Sequence, residues 1–183
     1  MKDREKILRY FAATGEEAKE MAIRLLDIAD TVDRGRPFAV GPFMSPFAAQ
    51  VGQTVAAHMN TVTVQISGGY HEAERIRVAF LRNDYEGPVD FGMTALSVTW
   101  DDRYRLIGHR DVLGSLMGLG IERSVLGDIL MQGAGCQIVA DAGIAEWLIQ
   151  NFVKVAMVPV HVEEIPLSEL TPPVKTPKEV KAT

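Results

Sequence analysis

From Ala95 to Ile165 the apolar residues switch repeatedly between two spacings, and that switching limits the available folds more than any other feature of the chain. Leu96, Val98 and Trp100 alternate with Ala95, Ser97 and Thr99, the period-two pattern of a strand with one buried face. Between His109 and Leu119, the residues Val112, Leu113, Leu116 and Met117 recur at helical spacing. Strands are expected at Asp128–Gln132 and Gln137–Ala140, with Gly133-Ala134-Gly135 as the turn between them. A second helix is expected from Ile144 to Val153, with Ile144, Leu148, Ile149 and Phe152 on one side, and a last strand from Val158 to Ile165. Strand-helix-strand-strand-helix-strand is the ferredoxin-like split βαβ plan, an antiparallel sheet with both helices on one face.

The preceding residues predict a mixed α/β unit. Helices are expected over residues 3–13 and 15–33, with Thr14 capping the second and Arg34-Gly35-Arg36-Pro37 ending it. A short strand from Phe38 to Phe43 follows. Ser45-Pro46 would then start a helix with Phe47, Val51, Val55 and Met59 at every fourth position. Val62–Ile66 and Ile76–Leu81 read as strands, joined by a Ser67-Gly68-Gly69 turn and the polar segment from Tyr70 to Arg75. Asn83-Asp84-Tyr85-Glu86-Gly87-Pro88 is the best internal linker. The expected class is therefore α+β, with a mixed α/β domain over residues 1–84 and a ferredoxin-like βαββαβ domain over 89–170. The tail TPPVKTPKEVKAT, residues 171–183, has three prolines and three lysines and reads as an extended linker.

With 47% hydrophobic and 23% charged residues among 183, the chain can build a core without staples. Its net charge of −5 argues against a dedicated nucleic-acid module acting alone, which is usually basic. The single cysteine, Cys136, excludes an intrachain disulfide and a zinc site built on cysteines. No segment has the length or apolarity of a signal peptide or a membrane span, so a cytoplasmic protein without membrane contact is expected.

The stretch HRDVLGSLMGLGIERSVLGDIL begins like a kinase catalytic loop, but Leu116 stands where that loop needs asparagine, and no Asp-Phe-Gly follows. Four isolated histidines, His58, His71, His109 and His161, offer no metal-ligand spacing. Cys136 has no close histidine, no serine elbow is present, and Gly133-Ala134-Gly135 is too short for a dinucleotide fingerprint. No enzymatic activity, metal or cofactor is expected. Base stacking on the sheet, as in an RNA-recognition motif, lacks support: Trp100 should point toward the helices, and no aromatic lies between Asp128 and Asp141. What remains is a set of cations, Arg103, Arg105, His109, Arg110 and Arg123, from the strand–helix loop, the helix start and the following turn. They suit phosphate contact, offset by Asp101, Asp102, Asp111 and Glu122. The plainer account is that these charges are solvated helix ends, with Gly118, Gly120 and Gly127 making tight turns.

The same stretch, with ALSVTWDDRYRLIG before it and CQIVADAGIAEWLIQNFVKVAMVPVHVEEIPLSEL after it, resembles the YlmH family, also called photosystem II S-four-type or RqcP-like proteins. GGYHEAERIRVAF is similar to that family's Gly-Gly-Tyr and Ala-Glu-Arg segment. The spacing of Leu119-Gly120-Ile121-x-Arg123 and Gly127-Asp128-Ile129 is specific to it, although Val112 stands where an aromatic is more usual. The resemblance implies a central RRM-like domain and a C-terminal S-four-type RNA-binding domain, toward which residues 171–183 would lead and which this chain is expected to lack. It further implies RNA, either ribosomal RNA or tRNA, and the large ribosomal subunit as partners in rescue of stalled translation. A protein-interaction adaptor in cell division and a small-molecule-binding ferredoxin-like domain are the alternatives.

Overall fold

The structure, a computed structural model, describes residues 4–103 and 105–174. It divides into two units, residues up to Ser67 with Glu74–Phe91, and Gly68–Ala73 with the residues from Gly92 onward.

In the first unit, helices α1 (Arg4–Ala12), α2 (Glu16–Asp33) and α3 (Phe47–Met59) accompany strands β1 (Phe38–Val40), β2 (Val62–Ser67) and β3 (Arg77–Arg82). The strands form an antiparallel sheet in the order β1-β3-β2. Ile7, Leu25, Leu26, Val32, Val55, Val78 and Phe80 are fully buried. Thr14 does not cap α2. Its hydroxyl donates to the Phe11 carbonyl at 2.8 Å, closing α1, and the N-cap of α2 is Gly15 at φ 133°. Pro46 rather than Ser45 takes the N-cap of α3. The first strand ends at Val40, short of the expected Phe43, and Phe47 is 40% exposed at the start of α3. The buried Arg77 donates from Nε to the Gly41 carbonyl at 2.7 Å and lies 5.0 Å from the Phe43 ring centroid.

The second unit follows the predicted order. Strand β4 (Met93–Trp100) leads to α4 (His109–Gly118), β5 (Leu126–Met131), β6 (Gly135–Asp141), α5 (Ala145–Asn151), a short β7 (Lys154–Val155) and β8 (Val158–Ile165). The sheet order is β5-β6-β4-β8-β7, every pair antiparallel. Its first four strands have the order of the split βαβ plan; β7 is an addition, two residues paired back on β8. Trp100 turns toward the core as alternation requires, joining Leu96, Val98, Ile138, Leu148 and Phe152. At Gly135 an added Cβ would sit 2.4 Å from the Val98 carbonyl oxygen, so only glycine lets the two strands meet there.

Val112 and Leu116 are fully buried on α4, but Leu113 is half-buried and Met117 is 46% exposed, contrary to the expected face. The helical angle explains this. Residues four apart differ by about 40° around the axis, whereas Met117 stands roughly 120° from the middle of the Val112–Leu116 stripe. On α5 the same effect leaves Ile149 exposed beside buried Leu148.

We predict that Leu116→Ala lowers unfolding free energy by about 2–5 kcal/mol, and Met117→Ala by less than about 0.5 kcal/mol. Urea denaturation of the two variants measures the difference, and equal losses would contradict this orientation of α4.

Candidate nucleic-acid interface

The sequence-predicted cations divide between the two ends of α4. Gly108 enters the helix in extended conformation, and its N–H donates to Asp111 Oδ2 at 2.9 Å, so a carboxylate in the first turn closes the helix start. The other oxygen of Asp111 receives Arg105 Nη2 at 3.4 Å. His109 and Arg110 are exposed in that first turn. Arg103 folds back on Asp101 as an exposed ion pair, and its guanidinium holds the Asp101 carboxyl below the usual carboxylate range. Loop and first turn thus gather Arg103, Arg105, His109 and Arg110 at one end. Arg123 is half-buried in a 3-10 turn, Arg123–Val125, beyond the other end of a helix about 15 Å long.

The outer face of the sheet is not a free platform. Val139 points away from the helices, and an added Cβ on Gly69 would lie 3.2 Å from its Cγ1 and 3.3 Å from Leu167 Cδ2. Gly69 (φ 92°) therefore lies against this face, a position favouring a residue without a side chain. Next to it the Tyr70 hydroxyl donates to Oδ2 of buried Asp128 at 3.0 Å. On the same face Gln137 Nε2 donates to the Glu169 carbonyl at 3.1 Å, and Gln137 Oε1 accepts the Thr171 N–H at 2.9 Å. Gln132 Nε2 donates to the carbonyls of Thr171 and Pro172, and the Val174 N–H donates to the Met131 carbonyl at 2.7 Å. Residues 171–174, the start of the expected extended linker, hydrogen-bond to the sheet; residues 175–183 of that linker lie outside the described residues.

Sequence pattern does not announce these hydrogen bonds. Glutamine at outer-face positions reads as solvated, and only the Gly-Gly-Tyr segment signals a specific role. Burial pushes the Cys136 thiol up to about 12, so it stays protonated at neutral pH. Among the described residues no group of three His, Cys, Asp or Glu could hold a metal ion. No helix there is long and apolar enough to cross a membrane.

Residues 17–85 match the family described as "YlmH, N-terminal", and residues 87–169 match "Putative RNA-binding domain in YlmH". The chain belongs to the YlmH family. A curated relative, "Ribosome-associated protein quality control protein P2" of Bacillus subtilis (strain 168), is 35% identical over 114 residues, which is 61% of this chain. The chain spans 44% of that relative's length. A solved structure, "Cell division protein ylmH from Streptococcus pneumoniae", aligns with TM-score 0.72 at 23% identity over 85% of this chain and 94% of that one. Its likeness carries the fold. In this YlmH-family chain the second unit is the one that coincides with the RNA-binding description, and its sheet face is held by the chain's own segments.

Removing the hydroxyl in Tyr70→Phe should cost about 1–3 kcal/mol, the range for leaving a buried polar group without its partner. Equilibrium unfolding in urea reads this; an unchanged midpoint would show that Tyr70 does not anchor the segment.

Proposed function

We propose that the chain is an RNA-binding, ribosome-associated, non-enzymatic protein of the cytoplasm. On this reading domains 1–84 and 89–170 form its folded part, and the α4 rim makes its RNA contact. The observation that carries this is the match of residues 87–169 to the family's RNA-binding domain. The name of the Bacillus subtilis relative supports the ribosome as the setting. The large subunit, with ribosomal RNA or tRNA and rescue of stalled translation, is the finer form of the proposal.

The mode differs from an RNA-recognition motif. The outer face offers Ser97, Thr99, Gln137 and Glu163 in place of Phe, Tyr or Trp, with His161 opposite Thr99 as an exposed ring, and Gln137 is bound to the tail. Phosphate contact therefore falls to Arg103, Arg105, His109 and Arg110 on one side of α4, with Arg123 on the other. Arginine suits this because its planar fork takes two phosphate oxygens at once. The spread along about 15 Å of helix suits several nucleotides rather than one phosphate.

The test is binding of ribosomal-RNA fragments, and sedimentation with ribosomes, across a salt series. Affinity should fall steeply with salt, and Arg105→Gln with Arg110→Gln should reduce the logarithmic slope by about one for each phosphate that an arginine no longer neutralises. Their thermal stability should stay within about 0.5 kcal/mol of the parent, as for exposed side chains. Full association of the double variant at every salt concentration would remove these arginines from the interface.

A further inference from the structure

We infer that residues 171–174 form a releasable strap, latched by Gln132 and Gln137 across the outer face of the second unit's sheet, which opens as one piece while the sheet beneath stays folded. The inference stands apart from the RNA-binding reading and concerns access to that face.

The chain is held to the face in two ways, and the change falls at Leu170. Before it the contact is apolar. Leu167 Cδ2 and Val139 Cγ1 lie 3.3 and 3.2 Å from where a Cβ on Gly69 would sit, and Leu167 and Leu170 are half-buried. From Thr171 to Val174 every residue is exposed, and hydrogen bonds tie the chain down. Gln137 Nε2 donates to the Glu169 carbonyl at 3.1 Å, and its Oε1 accepts the Thr171 N–H at 2.9 Å. Gln132 Nε2 donates to the carbonyls of Thr171 and Pro172 at 3.1 and 3.3 Å. The Thr171 hydroxyl lies 2.9 Å from Gln132 Oε1 and 3.3 Å from Gln137 Oε1. Thr171 is therefore the keystone: its N–H, hydroxyl and carbonyl are all engaged by the two glutamines. The last tie is the Val174 N–H to the Met131 carbonyl, 2.7 Å, on the edge strand β5.

Such a segment is close to balance. Hydrogen bonds between exposed groups exchange with water and contribute little net stability, while each ordered residue loses backbone freedom. Segments held this way open locally without global unfolding. The sequence makes the opening concerted. Pro172 and Pro173 have fixed φ, and Thr171 and Pro172, each preceding a proline, are confined to extended backbone. The piece is stiff when free, so closing it orders little, and Thr171 and Val174 leave together.

The latch residues are also walls of a recess. Gln132 and Gln137 line it with Ser97, Thr99 and Gly135, in a volume of about 230 Å³. With the strap closed both carboxamides are engaged by the chain itself; with it open they face solvent at the recess.

The experiment is amide hydrogen exchange of the full chain, followed residue by residue by NMR. Val174 is the reporter, because its acceptor, the Met131 carbonyl, is untouched by changes at Gln137 or Thr171. In the parent, Thr171 and Val174 should share one protection factor, well below that of the β4–β6 ladder. Gln137→Ala should speed Val174 exchange about ten-fold and leave the ladder unchanged. Thr171→Val, which keeps the side-chain shape and the backbone bonds but loses the hydroxyl, should speed it about three-fold. Thr171→Ser should match the parent. Unchanged Val174 exchange in Gln137→Ala and Thr171→Val would overturn the inference, since the contacts would then open independently. Parent Val174 protection equal to that of the ladder would also overturn it, since the strap would then open only with the sheet.

Discussion

Strand β4 is the constraint on which the second unit depends. It is the first strand of the unit, yet it lies inside the sheet, paired with β6 along Met93–Thr99 and with β8 along Ala95–Trp100. One face carries Leu96, Val98 and Trp100, the floor on which α4 and α5 set Val112, Leu116, Leu148 and Phe152. Because its backbone is satisfied on both edges, its other face is free to be small and polar, with Ser97 and Thr99. On that face β4 itself carries no aromatic, the ring beside it in register is His161 on β8, opposite Thr99, and the neighbouring glutamines hold the tail. On the reading proposed above, RNA contact falls to the loop that leaves β4 and the helix it enters.

The order of β4, α4, β5, β6, α5 and β8 is legible in the sequence because the apolar residues switch between strand and helix spacing along it. Trp100 is the clearest case: alternation alone sends it into the core. What is not legible depends on partners distant in sequence. Met117 looks like core because a four-residue apolar cluster fits a helix face, yet the sheet touches a narrower stripe. The β7 strand has two residues, too short for any period. Thr14 has the chemistry of an N-cap, but Gly15 intervenes and the hydroxyl serves the helix behind it. The tail's hydrogen bonds join residues more than 30 apart, which local pattern does not encode.

The candidate site is legible as residue types and not as geometry. Arginines near acids in a loop could pair with each other or stand apart. The structure pairs Arg103 with Asp101 and Arg105 with Asp111, and sends Arg123 to the far end of α4. The β7–β8 turn gives no signal either, because Val-Ala-Met-Val lacks the glycine or asparagine that announces a tight hairpin.

The acids around the rim set how it can engage an anion. An exposed ion pair such as Arg105–Asp111 contributes about 0–1 kcal/mol, so a phosphate can take the guanidinium at little cost. Asp111 does not become idle on that exchange, because its other oxygen still accepts the Gly108 N–H. The helix start therefore keeps its cap whether or not Arg105 is engaged elsewhere. One carboxylate thus serves both the arginine and the start of the helix. The chain can thus stay acidic overall and still carry cations at one edge.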